Sequence, residues 1–285
     1  MTMGVIVNRL LQTGTAFIVL LASPVMAADV AVKAPLPPPA APVFSWTGVY
    51  FGLTAGWVGA DNSMVNQAAP GVDPGVDVQD LAALSTGELP LGKKSGFIGG
   101  AEIGYNYQIN NWVAGIEADI QGISGQAVNS SITTTAPIVG VPVTSTLTGA
   151  MDTRWLGTLR GRLGFVPTPT VLVYGTGGLA YSQVAASTSL VQSAADGSFV
   201  GSGVGNSSGG FSELLAGWTA GAGVEWMFTQ NWSFKVEYLH YDLGTSSFTW
   251  RATDTTINLG TTYQNETTSV HNQGNIVRVG LNCLW

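Results

Sequence analysis

The sequence predicts an all-β protein: an eight-stranded antiparallel up-and-down transmembrane β-barrel with four long external loops. Three observations lead there. Eight segments alternate with period two between an apolar face and a small, polar or charged one. The connections between them alternate long and short. Only 9% of the 285 residues are charged, against about a quarter in an average soluble domain, and 38 glycines argue against a helical bundle.

The order of the chain begins with a targeting segment. Arg9 precedes an apolar stretch that is densest over 16–22, and Pro24-Val25-Met26-Ala27 supplies small residues for cleavage after Ala27. Residues 1–27 therefore read as a signal peptide. The apolar run is short for a membrane-spanning helix, which needs about 20 residues. Residues 28–45 hold Pro35, Pro37, Pro38, Pro39 and Pro42, a composition that gives an extended periplasmic linker. Residues 46–285 form the barrel.

Within 46–57, Val49, Phe51, Leu53, Ala55 and Trp57 share the outward face. Residues 96–108 place Phe97, Ile103, Tyr105 and Tyr107 outward and Glu102 inward. Asn110-Asn111 turns the chain into 112–121, with Trp112, Ile116 and Ile120 outward and Glu117 and Asp119 inward. Residues 152–165 set Trp155, Leu159, Leu163 and Phe165 against Asp152, Arg154, Arg160 and Arg162. After Pro167-Thr168-Pro169, segment 171–182 turns Val173, Leu179 and Tyr181 outward. Segments 217–228 and 232–241 carry Trp218, Trp226, Phe234 and Tyr238 outside, with Glu225, Lys235 and Glu237 inside. The last strand, 275–285, puts Val277, Val279, Leu281, Cys283 and Trp285 on one face and Arg278 on the other. Trp46, Leu156, Met227, Leu239 and Tyr241 break the pattern by falling on the inward parity. A bulge near Leu239 would repair its region.

Spans 60–92, 124–150, 185–211 and 245–273 are expected as loops from their Gly, Ser, Thr and Asn content. Outer-membrane barrels have short periplasmic turns and longer external connections, so both chain ends are expected in the periplasm. Two belts of outward aromatics would then mark the interfaces where lipid meets water. Eight strands leave an interior just wide enough for side chains to fill. Inside it, Glu102, Glu117, Asp119, Glu225 and Glu237 are expected to pair with Arg154, Arg160, Arg162, Lys235 and Arg278, because an isolated buried charge costs several kcal/mol.

The run Trp46-Thr47-Gly48-Val49-Tyr50-Phe51-Gly52 after a proline-rich leader, Glu237-Tyr238-Leu239, and Val277-Arg278-Val279-Gly280-Leu281-Asn282 before a terminal aromatic resemble the small outer-membrane β-barrel family of alphaproteobacteria. Members are described as porin-like, include abundant surface antigens and in some cases bind haem; the resemblance implies these as functions to test. Cys283-Leu284-Trp285 departs from the family's more usual Tyr-Phe or Lys-Phe ending while keeping the aromatic.

Other motifs carry less. Gly175-Thr176-Gly177-Gly178-Leu179-Ala180 matches a dinucleotide fingerprint but lies inside a strand, where that motif cannot work. One cysteine and two histidines give no credible catalytic constellation, so no enzyme is expected. His240, Tyr241, Tyr263 and His271 flank one loop and are of types that ligate haem iron, which makes haem the one candidate cofactor. A net charge of −7 argues against nucleic acid. The expected partners are outer-membrane lipid, lipopolysaccharide and the barrel assembly machinery, with Trp285 as the assembly signal on a monomeric barrel. Three functions follow: a structural envelope protein with a filled interior, a small porin for hydrophilic solutes, or a haem- or host-surface binder acting through its loops. The mature chain is expected to start at Ala28. An intact mass that retains Arg9 would overturn that expectation.

Overall fold

The computed structural model describes residues 44–68, 87–138, 140–194, 207–256 and 260–285, which form a twelve-stranded sheet with every pairing antiparallel. The expected signal peptide and all but the last two residues of the linker lie outside the described residues. The strands are β1 (Gly48–Asp61), β2 (Ser63–Ala68), β3 (Gly87–Leu89), β4 (Lys93–Ile109), β5 (Trp112–Ser124) and β6 (Val128–Ile138). They continue with β7 (Val141–Thr153), β8 (Trp155–Thr168), β9 (Val171–Ala194), β10 (Ser207–Met227), β11 (Trp232–Thr256) and β12 (Gly260–Leu284).

Eight of the strands pair in the order β1, β4, β5, β8, β9, β10, β11, β12, and β1 also pairs with β12. The hydrogen-bonded path therefore returns to its start. The eight segments read from the sequence fall mainly in these strands, with 152–165 starting in β7, and the outward faces agree apart from Asp152 and Arg154. Phe51, Leu53, Trp57, Ile116, Leu163, Leu179 and Val277 are all exposed large apolar residues. At the short β4–β5 turn, Asn110 adopts φ 53, a left-handed conformation that asparagine tolerates better than most residues.

Four strands were not expected, and they correct the loop assignment. β2 and β3 lie in span 60–92, β6 lies in span 124–150, and β7 starts there and runs on to Thr153. β9 and β10 run into the third span, and β11 and β12 extend through most of the fourth. Polar composition concealed them. Their outward faces use hydroxyls in cross-strand pairs: Thr133 with Thr146 at 3.1 Å, Thr135 with Thr144 at 3.0 Å and Ser247 with Ser269 at 2.9 Å. Threonine suits a pleated surface, and such pairs stabilise it. Their inward faces hold the apolar residues that a loop reading overlooks, among them Met64, Leu89, Leu147, Leu190, Trp250 and Val270.

Those residues belong to the larger of two apolar tiers. It starts at Val58, Ile98, Leu156, Leu239 and Ile276 and continues into the extended strand ends. The second tier lies at the short-turn end, where Trp46, Tyr50, Val113, Leu172, Tyr174, Met227 and Leu284 pack together. The inward residues that break the sequence pattern are thus the tiers themselves. Leu239 stays inward without a bulge; the register shift on β11 comes later, between Asp242 and Thr245.

Parity at the extended end is testable on adjacent residues of β9. Leu190 is 1% exposed and Val191 47% exposed. Leu190→Ala is expected to cost about 2–5 kcal/mol, the range for a buried leucine, and Val191→Ala under about 0.5 kcal/mol, as at exposed sites. Urea unfolding of the refolded protein measures both, and similar losses would mean that the upper tier is not packed.

Candidate functional site

The two tiers enclose a layer of charge. Inward positions on β4, β5, β8, β10, β11 and β12 deliver Glu102, Glu117, Asp119, Arg160, Arg162, Glu225, Lys235, Glu237 and Arg278, all buried. Register explains their meeting. Glu102 lies opposite Asp119, Glu117 opposite Arg160, Glu225 opposite Lys235 and Glu237 opposite Arg278.

Glu117 is the hub. It is ion-paired with Arg160, takes Lys235 Nζ at 3.1 Å, and lies 3.6 Å from Arg162 and 3.5 Å from Arg278. Arg160 also donates to Asp119 at 2.8 Å and to Glu237 at 3.0 Å, across the full width of the interior. Arg278 joins the same two carboxylates, at 3.0 Å to Asp119 and 2.8 Å to Glu237. Lys235 reaches Glu102 at 2.6 Å, and Arg162 reaches Glu225 at 2.7 Å. Neutral groups complete the layer. Thr158 donates to Asp119, while Ser233 and Asn282 donate to Glu225.

Two residues outside the predicted charge set belong to it. Tyr50 Oη donates to Glu117 at 2.6 Å and accepts from Arg162 at 2.9 Å. Tyr174 Oη donates to Glu237 at 3.0 Å, and the Arg162 guanidinium lies 3.9 Å from the centre of its ring. Inward parity was the available signal, since both tyrosines alternate with outward apolar residues. Glycines make the space. A Cβ on Gly104 would fall 2.3 Å from the Tyr50 ring, and one on Gly223 would fall 2.5 Å from the Tyr174 hydroxyl.

Arg154 is a correction. Its side chain is 85% exposed and donates from Nε to Asp152 at 2.6 Å, outside the network. Four steps from Thr153 to Gly157 face three steps from Val184 to Tyr181 on β9, so one extra residue bulges there. The bulge exchanges the faces below it, turning Asp152 and Arg154 outward. Among the described residues the charged layer therefore holds five acids and four bases, with Glu266 buried apart from it beside Asn66. Glu102, Glu117 and Asp119 bring carboxylate oxygens within 4.8 Å of one another, the spacing of a cation site. Lys235, Arg160 and Arg278 already face those oxygens.

The haem candidates are not gathered into one coordination sphere. His240 faces outward, bonds Asn275 at 3.0 Å and lies 5.2 Å from the Trp218 ring. Tyr241 is on the opposite face and buried. His271 stands four residues along β12 from the partner of His240, bonded to Thr245 at 3.0 Å. Tyr263 pairs with Thr253, and its side chain lies outside the described residues. Trp285 is exposed, and its amide donates to the Val49 carbonyl at 2.8 Å.

The outer face carries aromatics at two levels. Trp112 and Phe165 meet edge-on at 5.5 Å near the short turns; Trp57–Phe97 at 6.1 Å and Trp155–Tyr181 at 5.8 Å lie toward the other end. Comparison with known proteins agrees with this surface. The family model for an outer membrane protein beta-barrel domain matches residues 15–264. The chain is 40% identical over 228 residues to the 31 kDa outer-membrane immunogenic protein of Brucella melitensis biotype 1, covering 78% of this chain and 82% of that protein. It is 30% identical over 174 residues to a 22 kDa outer membrane protein of Rhizobium leguminosarum bv. viciae, covering 58% and 64%. Among solved structures, it is similar to the outer membrane protein OprG of Pseudomonas aeruginosa at TM-score 0.35 and 12% identity, covering 84% and 97%.

The surplus acid gives the network a signature. Glu237→Gln takes one ionised partner from each of Arg160 and Arg278, which keep Asp119, and from the Tyr174 hydroxyl, and it is expected to cost about 3 kcal/mol. Glu102→Gln removes the surplus charge and leaves Lys235 on Glu117, so it is expected to cost less than half as much. Urea unfolding in detergent compares the two; equal losses would refute the charge balance described here.

Proposed function

The chain belongs to the outer membrane protein β-barrel family, and from that premise we propose that the eight strands of the β1-to-β12 path close as a transmembrane barrel whose interior is a plug. The protein resides in the outer membrane of a Gram-negative cell. Its role in this reading is structural: a rigid, non-enzymatic surface barrel that contributes to envelope integrity. One observation carries it. The charged layer is closed at both ends by apolar side chains, Trp46, Leu172 and Met227 on one side and Val58, Ile98 and Leu239 on the other. A solute would have to break ion pairs in the middle and cross dry packing before and after.

Membrane physics favours the closed circuit. Backbone groups facing lipid must be paired within the protein, and only a sheet without edges achieves this with strands. The β1–β12 pairing runs from Tyr50–Leu284 to Ala60–Gly274, enough to pair both strands across their lipid-facing lengths. In this reading the end bearing β2, β3, β6 and β7 faces outward from the cell and the short turns face the periplasm. The 31 kDa relative is named for its immunogenicity; here the paired hydroxyl-rich strands would be the surface an antibody meets. Outer-leaflet lipopolysaccharide would surround the barrel, and the exposed Trp285, which follows β12, would be read by the assembly machinery. The porin alternative requires the plug to open. The haem alternative lacks a converged ligand set among the described residues.

Reconstitution in planar bilayers decides between plug and pore. The wild-type protein is expected to give no sustained open-channel current, and a steady conductance would remove the plug and favour the porin.

A further inference from the structure

Above the Trp155–Tyr181 pair, the outer face changes character. Below it stand Leu159, Leu163 and Leu179, exposed as a lipid-facing surface requires. Above it, between the levels of Leu214 on β10 and Val191 on β9, the outward side chains shrink. Asn129, Ala150, Ser187 and Gly210 form one continuous row across β6, β7, β9 and β10. Asp152, Ala185 and Ser212 form the row beneath. Small residues in successive rows leave a trough of about 550 Å3, joined at Asp152, Arg154, Ala185 and Ser212 to a smaller one of about 270 Å3.

We infer that this trough binds a phosphorylated glycolipid of the outer leaflet, with phosphate on Arg154 and the sugar or the upper acyl segment lying across the small-residue rows. The inference rests on the barrel reading and its orientation, and it assigns to one site what that reading leaves as general lipid contact. Four observations support it. The bulge at Arg154 turns a basic side chain to the outside, where regular pairing would have turned it in. Asp152 holds the guanidinium through Nε at 2.6 Å, and Nη1 and Nη2 have no partner among the described residues. A guanidinium anchored in this way keeps the geometry that grips phosphate oxygens in pairs. Gln183 and Ser212, bonded to each other at 3.2 Å in the smaller recess, offer further polar atoms to a sugar. The level also fits. Interfacial aromatics mark where acyl chains give way to headgroups, and Arg154 precedes Trp155 directly.

The test uses the full mature chain refolded in detergent, with native mass spectrometry of its complexes with bisphosphorylated lipid A. Wild-type protein is expected to retain the lipid. Arg154→Gln should weaken binding about tenfold or more, the scale of a lost charge-assisted contact. Chemically dephosphorylated lipid A should bind the wild type as weakly. Ala185→Phe, which fills the trough and keeps Arg154, should also weaken binding. Equal retention by wild type and Arg154→Gln would overturn the inference. So would full displacement by inorganic phosphate, which would identify a free-anion site. Heat-dependent gel mobility checks folding separately: a wild-type chain that never shows the compact form fails the barrel reading, whereas a compact chain indifferent to Arg154 fails only the trough.

Discussion

Glu117 lies within ion-pair distance of every basic side chain in the charged layer. Four cations, two on β8 and one each on β11 and β12, converge on a carboxylate from β5. Such a cluster exists only if the strands close on one another. Opening the circuit at any seam would expose some of these charges to lipid and leave others without partners, each at a cost of several kcal/mol. The network therefore opposes every arrangement of the strands other than the closed one, more than it adds net stability. Hydrophobic replacements of similar volume often equal a buried ion pair in stability, and the best-attested use of such pairs is to fix register.

The apolar tiers determine how strongly that constraint acts. Charges open to water on either side would be screened, and their pairing would contribute little. With Trp46 and Met227 beneath and Leu239 and Ile276 above, the layer is buried between apolar side chains. In a low-dielectric surrounding, paired charges attract more strongly and unpaired ones become costlier. The tyrosines join the two regimes. Tyr50 and Tyr174 place their rings in the lower tier and their hydroxyls in the network, using slots that Gly104 and Gly223 leave open.

The outer face obeys a different solvent. Through the middle of the strands it is Leu, Ile, Val and Phe, bounded by aromatics; beyond Trp155 and Tyr181 it becomes mostly small and polar, with Leu214 and Val191 as large exposed exceptions. One backbone irregularity lies at that boundary. A single extra residue before β8 exchanges the faces of the chain, so that Met151 and Thr153 point inward above it and Leu156 and Thr158 below. Without the extra residue one of the two apolar sets would be misplaced. The bulge reconciles two stretches of sequence whose inward parities differ by one.

The sequence by itself determined the period-two alternation, and with it eight of the twelve strands, most of their outward faces and nine of the ten charges assigned to the interior. Alternation is a local property: a residue's neighbours two positions away tell which side it takes, whatever it later touches. The Ser- and Thr-rich spans resemble loops in composition, although Leu147 and Leu190 keep the same period. Arg154 was beyond local reading, since a one-residue bulge shows only where one strand is laid against another. The tertiary structure alone decided which carboxylate became the hub, that the bases number four, and that apolar tiers seal them. Those are facts of closure. Glu117 and Lys235 are 118 residues apart in the chain, and only the pairing of β1 with β12 and its neighbours places their strands around one interior.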